Sequence, residues 1–296
     1  MNQTKSSRIY PFLNLMCALC FSLGGILVKL VPWSSLAISS GRGLIAAVML
    51  MIYMKLRHHK FVFNKSVLIG GCAVGFSSIL YVVANKLTTA ANAILIQYTA
   101  PVFLIFYIWF FMHEKPKKLD IIATAVISAG EICFFVDSLT AGGMAGNLLA
   151  LLAGAIYAVV FMMKRFDGSD TLSSVLIGCV ISGVVGLPWL VTETEFTPVT
   201  IGGILAIGVV QYGLGYLFMA EGLVGTPPLT ASLISMVEPI INPILAAIVL
   251  HEMLSPVALV GAAVVIVSVL LYNIAQELMN SRPAAAESQP KGQKLS

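Results

Sequence analysis

Residues 91–114 read ANAILIQYTAPVFLIFYIWFFMHE, and residues 229–252 read LTASLISMVEPIINPILAAIVLHE. Slid by 138 positions without a gap, Ala93, Leu95, Ile96, Pro101, His113 and Glu114 coincide with Ala231, Leu233, Ile234, Pro239, His251 and Glu252. The apolar coincidences are cheap in a chain that is 58% hydrophobic, but Pro, His and Glu falling in one frame are not. A weaker correspondence sets Phe21 and Lys29 against Tyr157 and Arg165 at a shift of 136. The chain therefore reads as two copies of one unit.

Each quoted stretch is an apolar run of membrane-crossing length, and the same pattern extends in both directions. Runs fall near 10–31, 35–55, 66–86, 91–112, 118–137, 146–164, 171–191, 199–220, 228–250 and 255–276, cut by Pro, Gly and charged residues. A span needs about twenty apolar residues to cross roughly 30 Å of hydrocarbon. With only 10% charged residues the composition excludes an ordinary soluble domain. The expectation is an all-α membrane protein of ten transmembrane helices. Its first five-helix repeat covers residues 10–137 and its second 146–276, with a disordered tail over 281–296 rich in Pro, Ala, Ser and Gln. The first run is too long for the apolar core of a signal peptide and reads as a retained helix. Cys17, Cys20, Cys72, Cys133 and Cys179 all lie inside apolar runs and read as small hydrophobes, not as a disulfide framework.

Placing the N-terminus in the cytoplasm puts fourteen of the seventeen Lys and Arg on cytoplasmic segments. The other three, Lys29, Arg42 and Lys86, fall in or at the outer ends of the first three runs, and the outer loops hold Asp137, Glu193 and Glu195. Both termini are then cytoplasmic, and the net charge of +4 is a topology signal, not a nucleic-acid one. Because five is odd, the second copy must be inverted relative to the first. Inverted repeats with a site near the midplane recur among secondary transporters.

The paired stretches, the Arg in Gly41-Arg42-Gly43 early in the second run, and an aromatic in mid-helix at the start of each half, Phe21 and Tyr157, together resemble the EamA-type members of the drug/metabolite transporter superfamily. The resemblance covers nearly all of residues 10–275. It implies a basket of helices around a central cavity lined mainly by runs 1, 3, 4, 6, 8 and 9, with cargoes that range from amino acids and amines to drugs, nucleosides and sugar derivatives.

Ionisable and amide side chains deep in apolar runs nominate the site. Glu238 lies about ten residues into the ninth run, roughly 15 Å deep at 1.5 Å per residue. A charge at that depth costs about 2.5–3.5 kcal/mol on insertion scales and is a functional candidate by default. The bland alternative is a neutral brace at a kink. Asn242 follows four residues later, on the same helical face. Pro239 and Pro243 remove backbone donors there, and Pro101 does so in the fourth run beside Gln97 and Tyr98. Broken helix is tolerated in a membrane only against protein or a water-filled cavity. The amide of Gln97 can equally serve as glue between helices. Phe21, Tyr81, Tyr98, Tyr157, Tyr212 and Tyr216 recur at mid-depth; such rings either pack or enclose a cation, worth about 2 kcal/mol when desolvated. Gln211 adds a further amide. Arg42 reads as a structural or gating residue within snorkelling reach of the interface, and Glu131 as a structural partner or a second proton site beside Glu238.

These residues point to a secondary transporter, read as an exporter, of small polar metabolites such as amino acids or related amines by alternating access. A proton-coupled efflux carrier for drugs or other cationic compounds is the alternative. An enzyme is not expected: H-E-x-x-H fails because Lys117 and Ser255 occupy the closing positions, and G-x-S-x-G is absent. No G-x-x-x-x-G-K-[ST] is present to hold ATP. No cofactor or metal is expected. The partners are a small-molecule substrate and the lipid bilayer of a cell inner or plasma membrane, with no nucleic acid, and the chain is a monomer or homodimer.

Overall fold

The structure is a computed structural model and describes residues 3–29, 31–88, 90–136, 143–250 and 255–281. Every regular element among them is helical. Asp137, His251, Glu252 and the tail from residue 282 lie outside the described residues, as do the side chains of Lys29, Lys86 and Pro243.

The helices follow the apolar runs, but five of the runs are interrupted. The first divides into α1 (Gln3–Ser22) and α2 (Gly24–Lys29), beside Gly24-Gly25. Then come α3 (Ser35–Leu56) and α4 (Lys65–Leu87), each capped by a side-chain oxygen, from Ser34 and Asn64. The fourth run divides into α5 (Ala90–Gln97) and α6 (Ala100–Met112), and α7 (Lys118–Phe135) follows. The second half holds α8 (Met144–Met162), α9 (Thr171–Val185) and the single turn α10 (Leu187–Leu190) after Gly186. Next, α11 (Pro198–Ala206) and α12 (Gly215–Gly222) flank eight residues of π-helix, Ile207–Leu214. The chain closes with α13 (Pro228–Ser235), α14 (Glu238–Leu250) and α15 (Pro256–Ser281). The last helix runs through Ser281, beyond the expected 276.

The internal repeat is visible in the helix ends. The break between α5 and α6 at residues 98–99 reappears between α13 and α14 at residues 236–237, displaced by the same 138 positions. Pro101 and Pro239 each occupy the first turn of the second half-helix, where the missing N–H costs nothing. The helical hydrogen bonding is interrupted for two residues before each proline, while Thr99 and Met236 keep right-handed helical backbone angles, so each run continues through a local break. Packing follows the same exchange. As α4 packs on α8, so α1 packs on α12; as α5 and α6 pack on α8, so α13 and α14 pack on α1; α3 meets α9, and α7 meets α15.

The loops meet in two sets. At one end of α3, Trp33 Nε1 donates to the Glu195 carbonyl at 2.8 Å, and Ser34 N donates to Glu193 Oε1 at 2.8 Å. At the other end, Asn64 Nδ2 donates to the Gly168 carbonyl at 2.8 Å, Ser66 Oγ to that of Asp167 at 2.7 Å, and His59 Nε2 lies 3.0 Å from Asp170 Oδ2. Exchanging the halves exchanges these two contacts, which are separated by the length of α3.

Among the described residues, six helical stretches are long and apolar enough to cross a membrane: Ser35–Leu56, Lys65–Ala84, Asn92–Met112, Met144–Arg165, Pro198–Gly222 and Pro256–Met279. Their outward faces are apolar. Val102, Phe106, Trp109, Phe110 and Phe111 stand exposed along α6, and Leu270, Leu271, Ile274 and Leu278 along α15. Water does not tolerate a patch of that extent on a monomer, whereas acyl chains do. In such a solvent helices associate by close packing of small residues, not by apolar burial. The pair α7 and α15 shows this: a Cβ added at Gly261 would lie 2.4 Å from Phe134 N. Ala258 and Ala262 on the same helix are buried, so this small-residue face is taken up inside the chain.

Candidate functional site

The interrupted helices converge on one cavity of ≈ 80 Å³. Its wall takes Phe21 from α1, Arg42 from α3, and Ser77, Ser78 and Tyr81 from one face of α4. Ile94 and Gln97 come from α5, with Tyr98 in the break after it; Tyr157 comes from α8, Gln211 and Tyr212 from the π-helix, Tyr216 from α12, and Glu238 from the start of α14. Both halves contribute.

The two helix breaks make the centre of the site. Tyr98 follows the last residue of α5, Glu238 opens α14, and Tyr98 Oη donates to Glu238 Oε2 at 2.5 Å. Interruption also lets α8 come close: a Cβ on Gly154 would lie 2.7 Å from the carbonyl oxygen of Gln97. Glycine is what allows the α8 backbone to brace the end of α5.

A second group forms around Arg42. Its Nη2 donates to Ser78 Oγ at 3.0 Å, Tyr212 Oη donates to the same oxygen at 3.0 Å, and the guanidinium carbon sits 4.4 Å from the Tyr212 ring centroid. Arg42 Nε is buried without a partner, and so is Gln211 Oε1. The π-helix explains how adjacent residues serve one wall, since its wider turn rotates successive side chains by less than an α-helix does. Segments of this kind are frequent at functional sites.

Aromatic rings close the remaining wall edge to face. Tyr212 and Tyr216 have centroids 4.7 Å apart, Phe21 and Tyr216 5.1 Å, and Tyr98 and Tyr157 6.4 Å.

Of the residues nominated from sequence, the structure brings together Phe21, Arg42, Tyr81, Gln97, Tyr98, Tyr157, Gln211, Tyr212, Tyr216 and Glu238. Asn242 does not line the cavity: one turn further along α14 it has moved away from the break, about 6 Å along the axis. Pro101 and Pro239 are buried behind the wall in the first turns of their helices, and Pro243 lies within α14. Glu131 is elsewhere, only 2% exposed on α7, with Oε1 lacking a partner. Arg42, expected at the periphery, faces the cavity. Ser77, Ser78 and Ile94 were not nominated; small hydroxyls in an apolar run give no signal of their own, although Ser77 and Ser78 share a helical face with Tyr81.

The model of the EamA-like transporter family matches the chain twice, over residues 8–136 and 144–274. An uncharacterized transporter of Bacillus subtilis (strain 168), YwfM, is 26% identical over 292 residues, which cover 94% of this chain and 98% of that protein. An uncharacterized transporter of Clostridium kluyveri is 25% identical over 223 residues, covering 70% of this chain and 71% of the relative. A solved crystal structure superposes with a TM-score of 0.78 at 15% identity, over 93% of this chain and 99% of that one, a likeness of fold alone.

Proposed function

Since the chain belongs to the EamA-like transporter family of multi-pass membrane proteins, we propose that it is a secondary carrier that exports a small polar metabolite, an amino acid or related amine, through the cavity between its halves. The observation that carries the reading is the Tyr98–Glu238 hydrogen bond, made between the break in one half and the equivalent break in the other. A carrier of this kind needs a site shared by two units that exchange roles.

Several features support the finer reading. The loop contacts at the two ends of α3 exchange with the halves, as they do when one repeat is inverted relative to the other. Ten apolar runs with both termini in the cytoplasm, in a cell inner or plasma membrane, place the cation-rich segments on one face of the bilayer. The cavity is far below the several hundred Å³ of an ordinary ligand site, so loading and release require the halves to move. Rigid-body rocking about the fixed site is the motion such repeats provide. The carboxyl, phenols and amides suit a polar cargo that bears an amine.

The ring of aromatics favours a second reading, efflux of cationic drugs, because Tyr98, Tyr157, Tyr212 and Tyr216 around one carboxyl can enclose a cation. A thermal-shift screen of purified protein against amino acids, amines, nucleosides and sugars, followed by flux in proteoliposomes, separates the two. Saturable flux of an amino acid or small amine, lost in Glu238→Gln and Gln97→Ala while both variants still fold, supports the metabolite carrier. Stabilisation and flux confined to bulky cations supports the second reading, and no saturable flux of any class overturns both.

A further inference from the structure

The cavity holds polar groups that the protein itself leaves unmet. Arg42 spends one Nη2 hydrogen bond on Ser78 and one face on Tyr212, and its Nε is buried with no partner. Among the described residues no carboxylate forms an ion pair with it: Glu238, on the same wall, takes its hydrogen bond from Tyr98. Gln211 is only 6% exposed, lines the cavity and leaves Oε1 without a donor. Arg42 and Gln211 thus line the cavity while a guanidinium donor and an amide oxygen, both covered in this state, have no partner, and the Glu238 carboxyl beside them has Tyr98 as its donor; a cargo meets these covered atoms only as the halves part. A buried charge or amide left this way is costly, so such groups persist where something else completes them.

The complement of that set is a molecule with an anionic planar group at one end and an N–H-rich cation at the other. We propose that Arg42 is the carboxylate subsite of this carrier, its Nε and a free Nη hydrogen receiving the α-carboxylate of a zwitterionic amino acid while Glu238 and Gln211 Oε1 receive its ammonium. The inference rests on the transport reading above and narrows it. The chemistry favours a carboxylate because the Nε edge of a guanidinium presents two parallel donors at the spacing of two carboxylate oxygens. The Tyr212 ring beneath the guanidinium and the Ser78 oxygen at Nη2 hold that edge in place. Two-point recognition separates an amino acid from an amine of the same side chain, which would leave the Nε edge empty.

The test uses the full chain in proteoliposomes, with each of the common L-amino acids as probe. For the amino acid carried fastest, its decarboxylated amine and its methyl ester are compared at equal concentration. Uptake of both is expected to fall at least tenfold below that of the amino acid. Arg42→Gln is expected to bring the ratio of acid to amine uptake close to one, and Arg42→Lys, which keeps the charge but not the paired donors, to lower it markedly. Should Arg42→Gln fail to fold, the ratio in Arg42→Lys decides. Amine or ester carried as well as the acid, or an unchanged ratio in the folded Arg42 variants, overturns the subsite while leaving the carrier intact. Absence of saturable flux for acids and amines alike overturns the carrier reading and the subsite with it.

Discussion

Glu238 accepts at Oε2 from the hydroxyl of Tyr98, a connection between the two helix breaks that removal of a single atom deletes. Tyr98→Phe keeps the ring and its edge-on contact with Tyr157. A hydrogen bond to a charged group contributes about 1.5–3 kcal/mol. Because the bond is already made in the folded protein, its loss is expected to lower the melting temperature by several degrees and to weaken transport, as measured by thermal denaturation and flux of the same preparation. A second residue reports on the end of the bundle that carries the His59 contact. Asp170 caps α9 by accepting from Ser173 N at 2.7 Å and pairs with His59. Partial burial opposes its ionisation, but the hydrogen bonds from Ser173 and the contact with His59 together outweigh that and hold its carboxyl below the ordinary range. A depressed folded value stabilises the protein above the unfolded value of about 3.9 and ceases to do so as pH falls through the folded one. Melting temperature in detergent is expected to drop as pH is lowered below about 4, and Asp170→Asn, which retains the cap, is expected to drop less over that window.

At the scale of the element, two glycines make contrasting predictions. Gly261 lets α15 lie against Phe134 of α7, away from the cavity, while Gly154 lets α8 lie against the carbonyl of Gln97. Alanine at either position forces the helices apart, and overpacking of this kind costs about 1–3 kcal/mol. Both variants are expected to melt lower. Only Gly154→Ala is expected to change the apparent affinity for cargo, because only there does the displaced backbone carry a side chain of the site; concentration dependence of flux, normalised to folded protein, checks this. The π-helix yields a third element-scale prediction. Deleting Val210 allows Ile207–Leu214 to close into α-helix and turns Gln211 and Tyr212 relative to α11. The expected result is a folded protein whose flux is lost.

For the whole molecule, the orientation argument is open to a direct measurement. Asp167 lies in the loop set that meets His59 and Asn64, and Thr194 in the set that meets Trp33 and Ser34; both are exposed. In a background with the five cysteines replaced, Asp167→Cys is expected to react with a membrane-impermeant thiol reagent only from the cytoplasmic side, and Thr194→Cys only from the opposite one. Labelling of both from one side would remove the inverted arrangement. Locking either end should also stop transport: a cross-link between cysteines at Ser34 and Glu193, or between cysteines at Asn64 and Gly168, is expected to abolish flux that returns on reduction.

Much of this was legible in the chain before any coordinates. The apolar runs and their breakers located the helices, because a bilayer imposes length and apolarity on anything that crosses it. The shift of 138 between residues 91–114 and 229–252 disclosed the repeat, and the depth of Glu238 nominated the acid, since an ionisable group at that depth stands out against its surroundings. What coordinates alone decided is which side chains meet. Sequence spacing describes one helix at a time, so it set Asn242 on the face of Glu238 but gave no account of where α14 stops following the cavity. It read Pro101 and Pro239 as helix breaks, and the helical hydrogen bonding is interrupted for two residues just before each of them. It left Arg42 at the rim and passed over Ser78, because the pairing of a guanidinium on α3 with a hydroxyl on α4 and a phenol in the second half is a property of three helices held together, and no local pattern in any one of them encodes it.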